Sequence, residues 1–408
     1  MLNVLTVEET MRLIDERVKP LGRTQQAGIG EAAGRVLAED VTGTEYVPGF
    51  DRSTVDGYAV RAKDTFGCSE ALPALLTLSG EILMGQQASE KLQPGCCMAV
   101  PTGGAVPEGA DAMVMVEHAE DYGDGTIGIM KPAAPGDNMI YRGDDIAPGK
   151  VLLSAGLVLA PQDVGTLAAM GKVQVSVSVR PRVGILSTGD ELIPADQAPQ
   201  EGQIRDVNSH FLAAMFAAAG GAVHNYGIIR DEDALIGAAL DRAIEENDMV
   251  LISGGSSVGL KDAACRLIEE RGELLMHGIS MKPGKPTILG IASGKPVFGL
   301  PGHPAAAYFS ARLFAMRAFW NLCGSRQEPV KVSAVISESI GANHGRTQFT
   351  AVTLTGTPGS LTATPIRSKS GLITSISAAD GFIAISRDSE GLGAGAKVEV
   401  TLFRALPY

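Results

Sequence analysis

The sequence predicts a multidomain protein of α/β plus β class. From Arg182 onward, apolar strand-like runs alternate with helical runs, which is typical of a doubly wound parallel sheet. Short β-like runs between turn residues dominate before Val179 and return after Cys323. The 408 residues also exceed the ~100 to 200 of a single domain. We therefore expect an α/β ligand domain flanked by mainly β regions.

The N-terminal segment predicts helices before the β pattern begins. Thr6 and Glu9 form a capping box, and apolar residues at helical spacing extend the first helix to about Lys19, before Pro20. A second helix is expected over residues 30–37. From Val41 to about Val179, short runs such as LLTLSGEIL, CMAVPTG and AMVMVEH indicate strands with few helices.

The α/β region alternates in a regular order. Strands are expected in RVGILST, AVHNYGII, DMVLIS, ELLMHGIS and PVFGLP, and helices in SHFLAAMFAAAG, DEDALIGAALDRAIEEN, DAACRLIEERG and AAAYFSARLFAMRAFW. After Cys323, the runs KVSAVI, TQFTAVTL, LTATPI, GFIAIS and AKVEVTLF predict strands over about eighty residues. That length suits a small barrel or sandwich.

Composition excludes several classes of protein. The net charge of −12 argues against a nucleic-acid partner, which needs clustered Lys and Arg. The five cysteines contain no CxxC and the six histidines no ligand spacing, so neither a zinc site nor a disulfide framework is supported. The first residues lack a signal-peptide pattern, and no apolar run approaches the ~18 residues of a membrane span. We expect a cytoplasmic protein that binds no membrane.

The loop SGGSSVGLKD invites three interpretations. Because it follows a predicted strand and precedes a helix, it suits anion binding. Gly254 and Gly259 have Walker A spacing, but Leu260 and Lys261 replace the required Lys and Ser/Thr. The same loop satisfies GxSxG, which would make Ser257 a nucleophile with His277 or His303 as base. No HGGG-like segment precedes it, so a βα turn is favoured over a hydrolase.

A second candidate is the turn Lys282-Pro-Gly-Lys-Pro286. It places two cations three residues apart, where both can meet one phosphate or oxyanion. Since parallel strands end at one edge, this turn should meet Thr188–Glu191, the Gly-Ser loop and Leu300–Pro304 there. Carboxylates beside phosphate-binding groups suit Mg²⁺. The acids available for it at this edge are Asp190, Glu191, Asp231 and Asp262.

Eight motifs in order resemble the MoeA family of molybdopterin molybdenumtransferases, which includes the gephyrin E domain. They are PGFDRSTVDGYAV, PTGGAVPEGADAMV, RGDDI, STGDEL, GIIRDE, SGGSSVGLKD, MKPGKP and LPGHPAA. The resemblance implies four parts: an elongated domain (1–46 and 146–179), an inserted mainly β domain (47–145), an α/β molybdopterin-binding domain (180–326) and a C-terminal β-barrel-like domain (327–408).

The resemblance also implies an activity. The family inserts molybdate into adenylylated molybdopterin, with Mg²⁺-dependent release of AMP. It implies a homodimer in which the inserted domain of one subunit faces the ligand domain of the other, and transient contact with the adenylyltransferase that supplies the pterin. The alternative is a scaffold or carrier that keeps the fold and binds molybdopterin without catalysis.

Functional residues carry over by motif. The resemblance implies catalytic roles for Asp56, Asp145, Glu191, Asp262, Lys282 and Lys285, of which Asp56, Asp145 and Glu191 are candidate Mg²⁺ ligands. It implies substrate binding by Thr102, Thr188, Gly189, Asp231, Gly254, Gly255, Ser256, Ser257, Gly259, Pro301, Gly302, His303 and Ser370. No covalent nucleophile is expected.

Three positions depart from the family pattern. His303 stands where the family usually has Asn, Val55 where it has Met, and Val207 where it has Ser or Thr. His303 matters most, because a titratable imidazole replaces a neutral amide at the predicted site. It could serve as a pH-sensitive anion contact, but we favour its interpretation as a tolerated substitution.

Overall fold

The computed structural model describes residues 4–87, 90–254, 258–342, 345–357, 359–367 and 369–404, and only the backbone of residues 258–262. The chain begins with α1 (Val7–Arg17), β1 (Thr24–Gly28) and β2 (Val41–Thr42). The capping box of α1 is confirmed, because Glu9 N donates to Thr6 Oγ1 and Thr6 N to the Glu9 carboxylate. The helix ends at Arg17, close to the predicted end.

The predicted helix over residues 30–37 is wrong. The chain forms a single 3₁₀ turn over Ile29–Glu31 instead. Gly34 then takes a φ of +76°, which no right-handed helix contains. Val36 and Leu37 pair as isolated bridges with Val158 and Val177, so tertiary strand pairing replaces local helix formation.

A separate β domain follows β2. Its elements are β3 (Arg52–Ser53), β4 (Gly57–Val60), β5 (Ala74–Glu81), β6 (Cys96–Val100), β7 (Ala112–Met115), β8 (Ala119–Asp121), β9 (Thr126–Ile129) and β10 (Met139–Ile140), with 3₁₀ turns at Ala62–Thr65 and Val116–His118. Six strands form a sheet in the order β7-β4-β6-β5-β9-β8, and β3 pairs with β10. Alternating apolar residues bury both faces of this sheet in separate cores.

The chain then returns to the N-terminal segment through β11 (Val151–Leu153), α2 (Pro161–Ala169) and β12 (Gln174–Ser178). β11 pairs antiparallel with β2, and β12 with β1. The elements β3 to β10 are therefore inserted between two paired strands of one elongated unit.

The α/β domain contains a six-stranded sheet with helices on both faces. Its elements are β13 (Arg182–Thr188), β14 (Leu192–Ile193), β15 (Ile204–Arg205), α3 (Asn208–Ala218), β16 (Ala222–Ile229), α4 (Asp233–Glu246), β17 (Met249–Gly254), α5 (Val258–Glu269), β18 (Gly272–His277), β19 (Met281–Lys282), β20 (Ile288–Ala292), β21 (Lys295–Leu300), α6 (Pro304–Ser310), a π-helical segment (Ala311–Ala315) and α7 (Met316–Cys323). The sheet order is β16-β13-β17-β21-β20-β18.

One strand of this sheet was not predicted from the sequence. β20 lies antiparallel between β21 and β18. Ser293 and Gly294 both have positive φ and connect Ala292 to its partner Lys295 as a two-residue hairpin turn. Because β18 is antiparallel to β20, it still runs parallel to the other strands, and its carboxyl end lies at the predicted edge.

The C-terminal domain is a closed barrel. Its elements are β22 (Lys331–Ile336), β23 (Ile340–Gly341), β24 (Thr347–Thr355), β25 (Leu361–Pro365), α8 (Thr374–Ser377), β26 (Gly381–Ile385), β27 (Gly391–Leu392) and β28 (Lys397–Leu402). The order β24-β25-β22-β28-β26 closes because β26 also pairs with β24. The barrel packs against the α/β domain, where β19 adds to β24 and Phe309 packs edge-on against Phe382. No helix in the described ranges is both long and apolar enough to span a bilayer.

One carboxylate of helix α1, that of Asp15, binds polar side chains at the end of the α/β domain. Asp15 Oδ1 accepts hydrogen bonds from Arg317 Nε at 2.8 Å and from Asn321 Nδ2 at 3.1 Å. Its second oxygen contacts Arg317 and Arg326, the latter at 3.1 Å. The hydrogen bond from Arg317 is the main reason that the pKa of Asp15 falls from 3.8 to about 2.

We expect Asp15 to make stability depend on acid pH. A carboxylate with a lowered folded-state pKa stabilises the fold above its unfolded pKa, and this stabilisation is lost as the pH falls from about 4 to about 2. Because solvent screens the partly exposed pair, we expect about 1 kcal/mol. Urea unfolding of the wild type and Asp15→Asn should give a difference at pH 6 that shrinks towards pH 3. A pH-independent difference would contradict this assignment.

Candidate active site

The carboxyl edge of the α/β sheet is closely packed where two predicted binding loops begin. Thr188 and Gly254 are register partners at the ends of β13 and β17. Gly254 has a φ of +145°, and a Cβ built there would lie 2.1 Å from the Thr188 carbonyl oxygen. Only glycine fits at this position, so the backbone of the two loops can approach closely.

Gly254→Ala should therefore disturb the fold as well as the site. A positive φ combined with a backbone clash is expected to lower the free energy of unfolding by about 2–4 kcal/mol. Urea unfolding can measure this loss. Gly165→Ala is the control, because Gly165 lies in α2 with open space around it and should gain stability or stay unchanged. Equal unfolding midpoints for Gly254→Ala and the wild type would refute the close approach.

Three acids meet at the rim next to this edge. Asp231 N donates to Asp190 Oδ1 at 3.3 Å. Burial raises the pKa of Asp231, and the charges of Asp190 and Glu191 raise it further. Asp231 Oδ1 is buried without a hydrogen-bond partner among the described residues. A cavity of about 720 Å³ opens here, lined in part by Gly189, Asp190, Asp206 and Ser209. The three acids make this rim negative, although Arg230 also lines the cavity.

A larger cleft of about 1090 Å³ separates the α/β domain from the barrel. Lys282 and Lys285 are both exposed on one of its walls. The turn between them is anchored, since Thr287 Oγ1 donates to the Gly284 carbonyl oxygen at 2.7 Å. Among the described residues that line this cleft there is no Asp or Glu. We call it the basic cleft; its cationic residues are Lys282, Lys285, Arg346, Arg367 and Lys369.

Sequence reasoning missed the cations that the barrel contributes. Arg346, Arg367 and Lys369 belong to no pattern that separates them from ordinary exposed cations. Arg367 is also paired with Glu338 at 3.1 Å, which reduces its charge towards a ligand. They line the basic cleft because the barrel lies next to the lysine turn.

The structure brings His303 and Ser370 into contact in the lining of the basic cleft. His303 Nδ1 lies 2.9 Å from Ser370 Oγ. The Ser370 carbonyl oxygen also accepts a hydrogen bond from Ala305 N at 3.0 Å, at the start of α6. Both residues line the cleft, as does Pro301. Two positions that the resemblance placed in different domains thus contact each other.

The predicted residues of the inserted domain form a second group. Asp56 Oδ1 accepts a hydrogen bond from Thr102 N at 2.8 Å, so these two predicted residues also meet. Asp145 lies where the chain leaves the inserted domain. Its N–H donates to the carbonyl oxygen of Val47, where the chain enters that domain, at 3.1 Å. The described residues that line the basic cleft include none from 47–145. Within one chain, the inserted-domain group is therefore not part of the described lining of the cleft.

Some predicted residues cannot be placed in this geometry. Gly255, Ser256 and Ser257 lie outside the described residues, as does the side chain of Asp262. The backbone of Gly259 lies in the first turn of α5. In the described part of the chain, no three His, Cys, Asp or Glu side chains are grouped so that they could hold a metal ion.

Comparison with known proteins accounts for the whole chain. Three family models match in order: MoeA N-terminal region (domain I and II) over residues 5–171, probable molybdopterin binding domain over 184–319, and MoeA C-terminal region (domain IV) over 333–403. A molybdopterin molybdenumtransferase of Bacillus subtilis is 32% identical, over 98% of this chain and 94% of its own length. The chain belongs to the MoeA family.

Other MoeA relatives support the same assignment. Molybdopterin molybdenumtransferase 2 of Mycobacterium tuberculosis is 33% identical, over 97% of this chain and 98% of its own. The crystal structure of a molybdopterin biosynthesis MoeA protein from Pyrococcus horikoshii is 34% identical. It superposes with a TM-score of 0.87 and covers 98% of this chain and 100% of its own. The multidomain MoeA fold, with its α/β domain and closed C-terminal barrel, is confirmed.

Proposed function

We propose that this MoeA protein is a molybdopterin molybdenumtransferase that inserts molybdate into adenylylated molybdopterin with release of AMP. The observation that carries the proposal is the basic cleft. Molybdate and phosphate are tetrahedral oxyanions, and lysine ammonium groups with loop amides bind such groups by charge-assisted hydrogen bonds. In a chain of net charge −12, a cleft whose described lining contains five cations and no acid is a specific place for an anion, although Glu338 offsets the charge of Arg367.

The cleft also has the size for this substrate class. Its volume of about 1090 Å³ reaches the upper end of the ~300–1,000 Å³ typical of small-molecule sites. A pterin joined to a nucleotide is a large, anionic ligand that would need a cleft of this volume. Lys282 and Lys285 would hold an oxyanion, while Ser370 and His303, which also line the cleft, would donate or accept hydrogen bonds to the ligand.

Mg²⁺ is implied by the family, and one subunit does not assemble its candidate ligands. Asp56 contacts Thr102 in the inserted domain, whereas Glu191 lies at the rim of the α/β domain. Asp231 Oδ1 has no hydrogen-bond partner among the described residues, and Asp190 and Glu191 lie near Asp231, but within the described part of the chain these acids do not form a metal-binding group. We therefore assign no chemical step to Mg²⁺ from this geometry, and keep Mg²⁺-dependent AMP release as part of the proposal.

We further propose a homodimer with a shared site. The inserted domain of one subunit would bring Asp56, Thr102 and Asp145 to the α/β domain of the other. The separation of the two predicted groups within one subunit supports this arrangement. A C₂ dimer would then contain two equivalent composite sites.

The proposal is tested by measuring AMP release from adenylylated molybdopterin. Purified protein is assayed with and without molybdate and Mg²⁺, and we expect release that depends on both. Tungstate in place of molybdate then tests the choice of oxyanion. Tight pterin binding without AMP release under every condition would favour the carrier or scaffold alternative and reject the transferase.

A further inference from the structure

Asn208, the first residue of α3, connects three segments below the carboxyl edge of the sheet. Its Nδ2 donates to Ser253 Oγ at 2.8 Å and to the Gly302 carbonyl oxygen at 2.9 Å, and the Pro301 carbonyl oxygen lies 3.5 Å away. Only 7% of the residue is exposed. One amide group therefore joins α3, the end of β17 and the loop that follows β21.

The segments that Asn208 joins lead into both predicted loops. Ser253 directly precedes Gly254, and Gly302 directly precedes His303, which contacts Ser370 at the basic cleft. A displacement of about 1 Å in the groups that hold a substrate can lower the rate by about 100-fold. Loss of the hydrogen bond to Gly302 would therefore displace His303, which lines the basic cleft.

The oxygen of the same side chain argues against a purely stabilising role. Asn208 Oδ1 is buried and has no hydrogen-bond partner among the described residues. Ser187 is the strand-register partner of Ser253. Its Oγ is also buried and has no hydrogen-bond partner among the described residues. Burying an unpaired polar atom costs stability. What the asparagine contributes at this position is its pair of donors.

We propose that Asn208 is a positioning residue for the site. Its amide holds the Gly302 carbonyl, and through it His303, in a fixed place relative to α3, whereas its second contact, with Ser253, is not needed for this positioning. Asn208 acts through these loops and not by contact with substrate, because its oxygen is closed off from solvent. The kinetic part of the test rests on the proposed transferase function, whereas the spectroscopic part does not.

The decisive variant is Asn208→Asp, which keeps the shape of the side chain. An ionised carboxylate can still accept from the Ser253 hydroxyl but cannot donate to the Gly302 carbonyl, whereas the protonated acid could, so this variant is measured as a function of pH. Asn208→Ser is the second variant, since it is neutral and too short to reach Gly302. Ser253→Ala removes only the hydrogen bond between Asn208 and Ser253. Ser187→Ala is the matched control, because it deletes a buried hydroxyl that has no partner in the described structure.

We expect kcat for AMP release to fall about ten-fold or more in both Asn208 variants, with KM changed less than about two-fold. The NMR signals of the His303 ring, assigned by their loss in His303→Asn, should shift in both. Ser253→Ala and Ser187→Ala should keep kcat within about three-fold and leave these signals in place. Unshifted His303 signals in both Asn208 variants overturn the proposal, as does an equal loss of kcat in Ser253→Ala. If the wild type releases no AMP, the transferase proposal fails, and the His303 signals alone decide the role of Asn208.

Discussion

Lys282→Ala is expected to lower AMP release by about 100-fold or more while the protein remains folded. Removing one preorganised group that stabilises developing charge typically costs about 10²–10³ in kcat. Lys282 is exposed, and its backbone is fixed by strand pairing with Gln348 of the barrel. The substitution therefore removes a charge without removing core packing, and the melting temperature should stay within about 2 °C of the wild type.

The control for this charge effect is Lys397→Ala. Lys397 is an exposed lysine on β28 of the same barrel and does not line the basic cleft. The Lys397→Ala variant should release AMP at the wild-type rate. Retention of more than about a tenth of wild-type kcat by Lys282→Ala would remove the lysine turn from the catalytic site. A parallel loss in Lys397→Ala would mean that net charge, and not the cleft, controls the rate.

Local patterns predicted the elements that their own residues stabilise. The capping box of Thr6 and Glu9 fixed the start of α1, and the alternation after Arg182 predicted the strands that end at the site. The predicted helix over residues 30–37 failed because Val36 and Leu37 are paired by strands far away in the sequence. β20 was missed because its hairpin turn, Ser293-Gly294, is a weaker signal than the helix–strand alternation around it.

The candidate site was predictable where the chemistry lies in contiguous motifs. The lysine turn and the loop at His303 could be named from the sequence, and the structure places them at one cleft. Arg346 and Lys369 could not, because their role comes from barrel closure and not from a motif. Asn208 could not either, since its function depends on which carbonyl groups a buried amide meets. The sequence identifies local chemistry, whereas tertiary structure determines which groups act on one ligand.

Two inactive variants should restore activity to each other when mixed. We expect Asp56→Asn to lose AMP release about as fully as Lys282→Ala, because Asp56 is exposed and its carboxylate orders the turn at Thr102. If each site combines Asp56 of one subunit with Lys282 of the other, a mixed dimer has one intact site and one doubly altered site. After unfolding and refolding together, about half of the dimers are mixed, so the mixture should reach about a quarter of wild-type activity.

The design separates a shared site from a site within one subunit. If Asp56 and Lys282 of the same subunit acted together, both sites of every mixed dimer would carry one altered residue, and the mixture would stay inactive. Lys282→Ala with Lys285→Ala is the matched negative control, because both lysines lie on one wall of the same cleft and should never complement. Recovery in that control would point to subunit exchange effects unrelated to the site. Recovery only with Asp56→Asn would place the inserted domain of one subunit opposite the basic cleft of its partner.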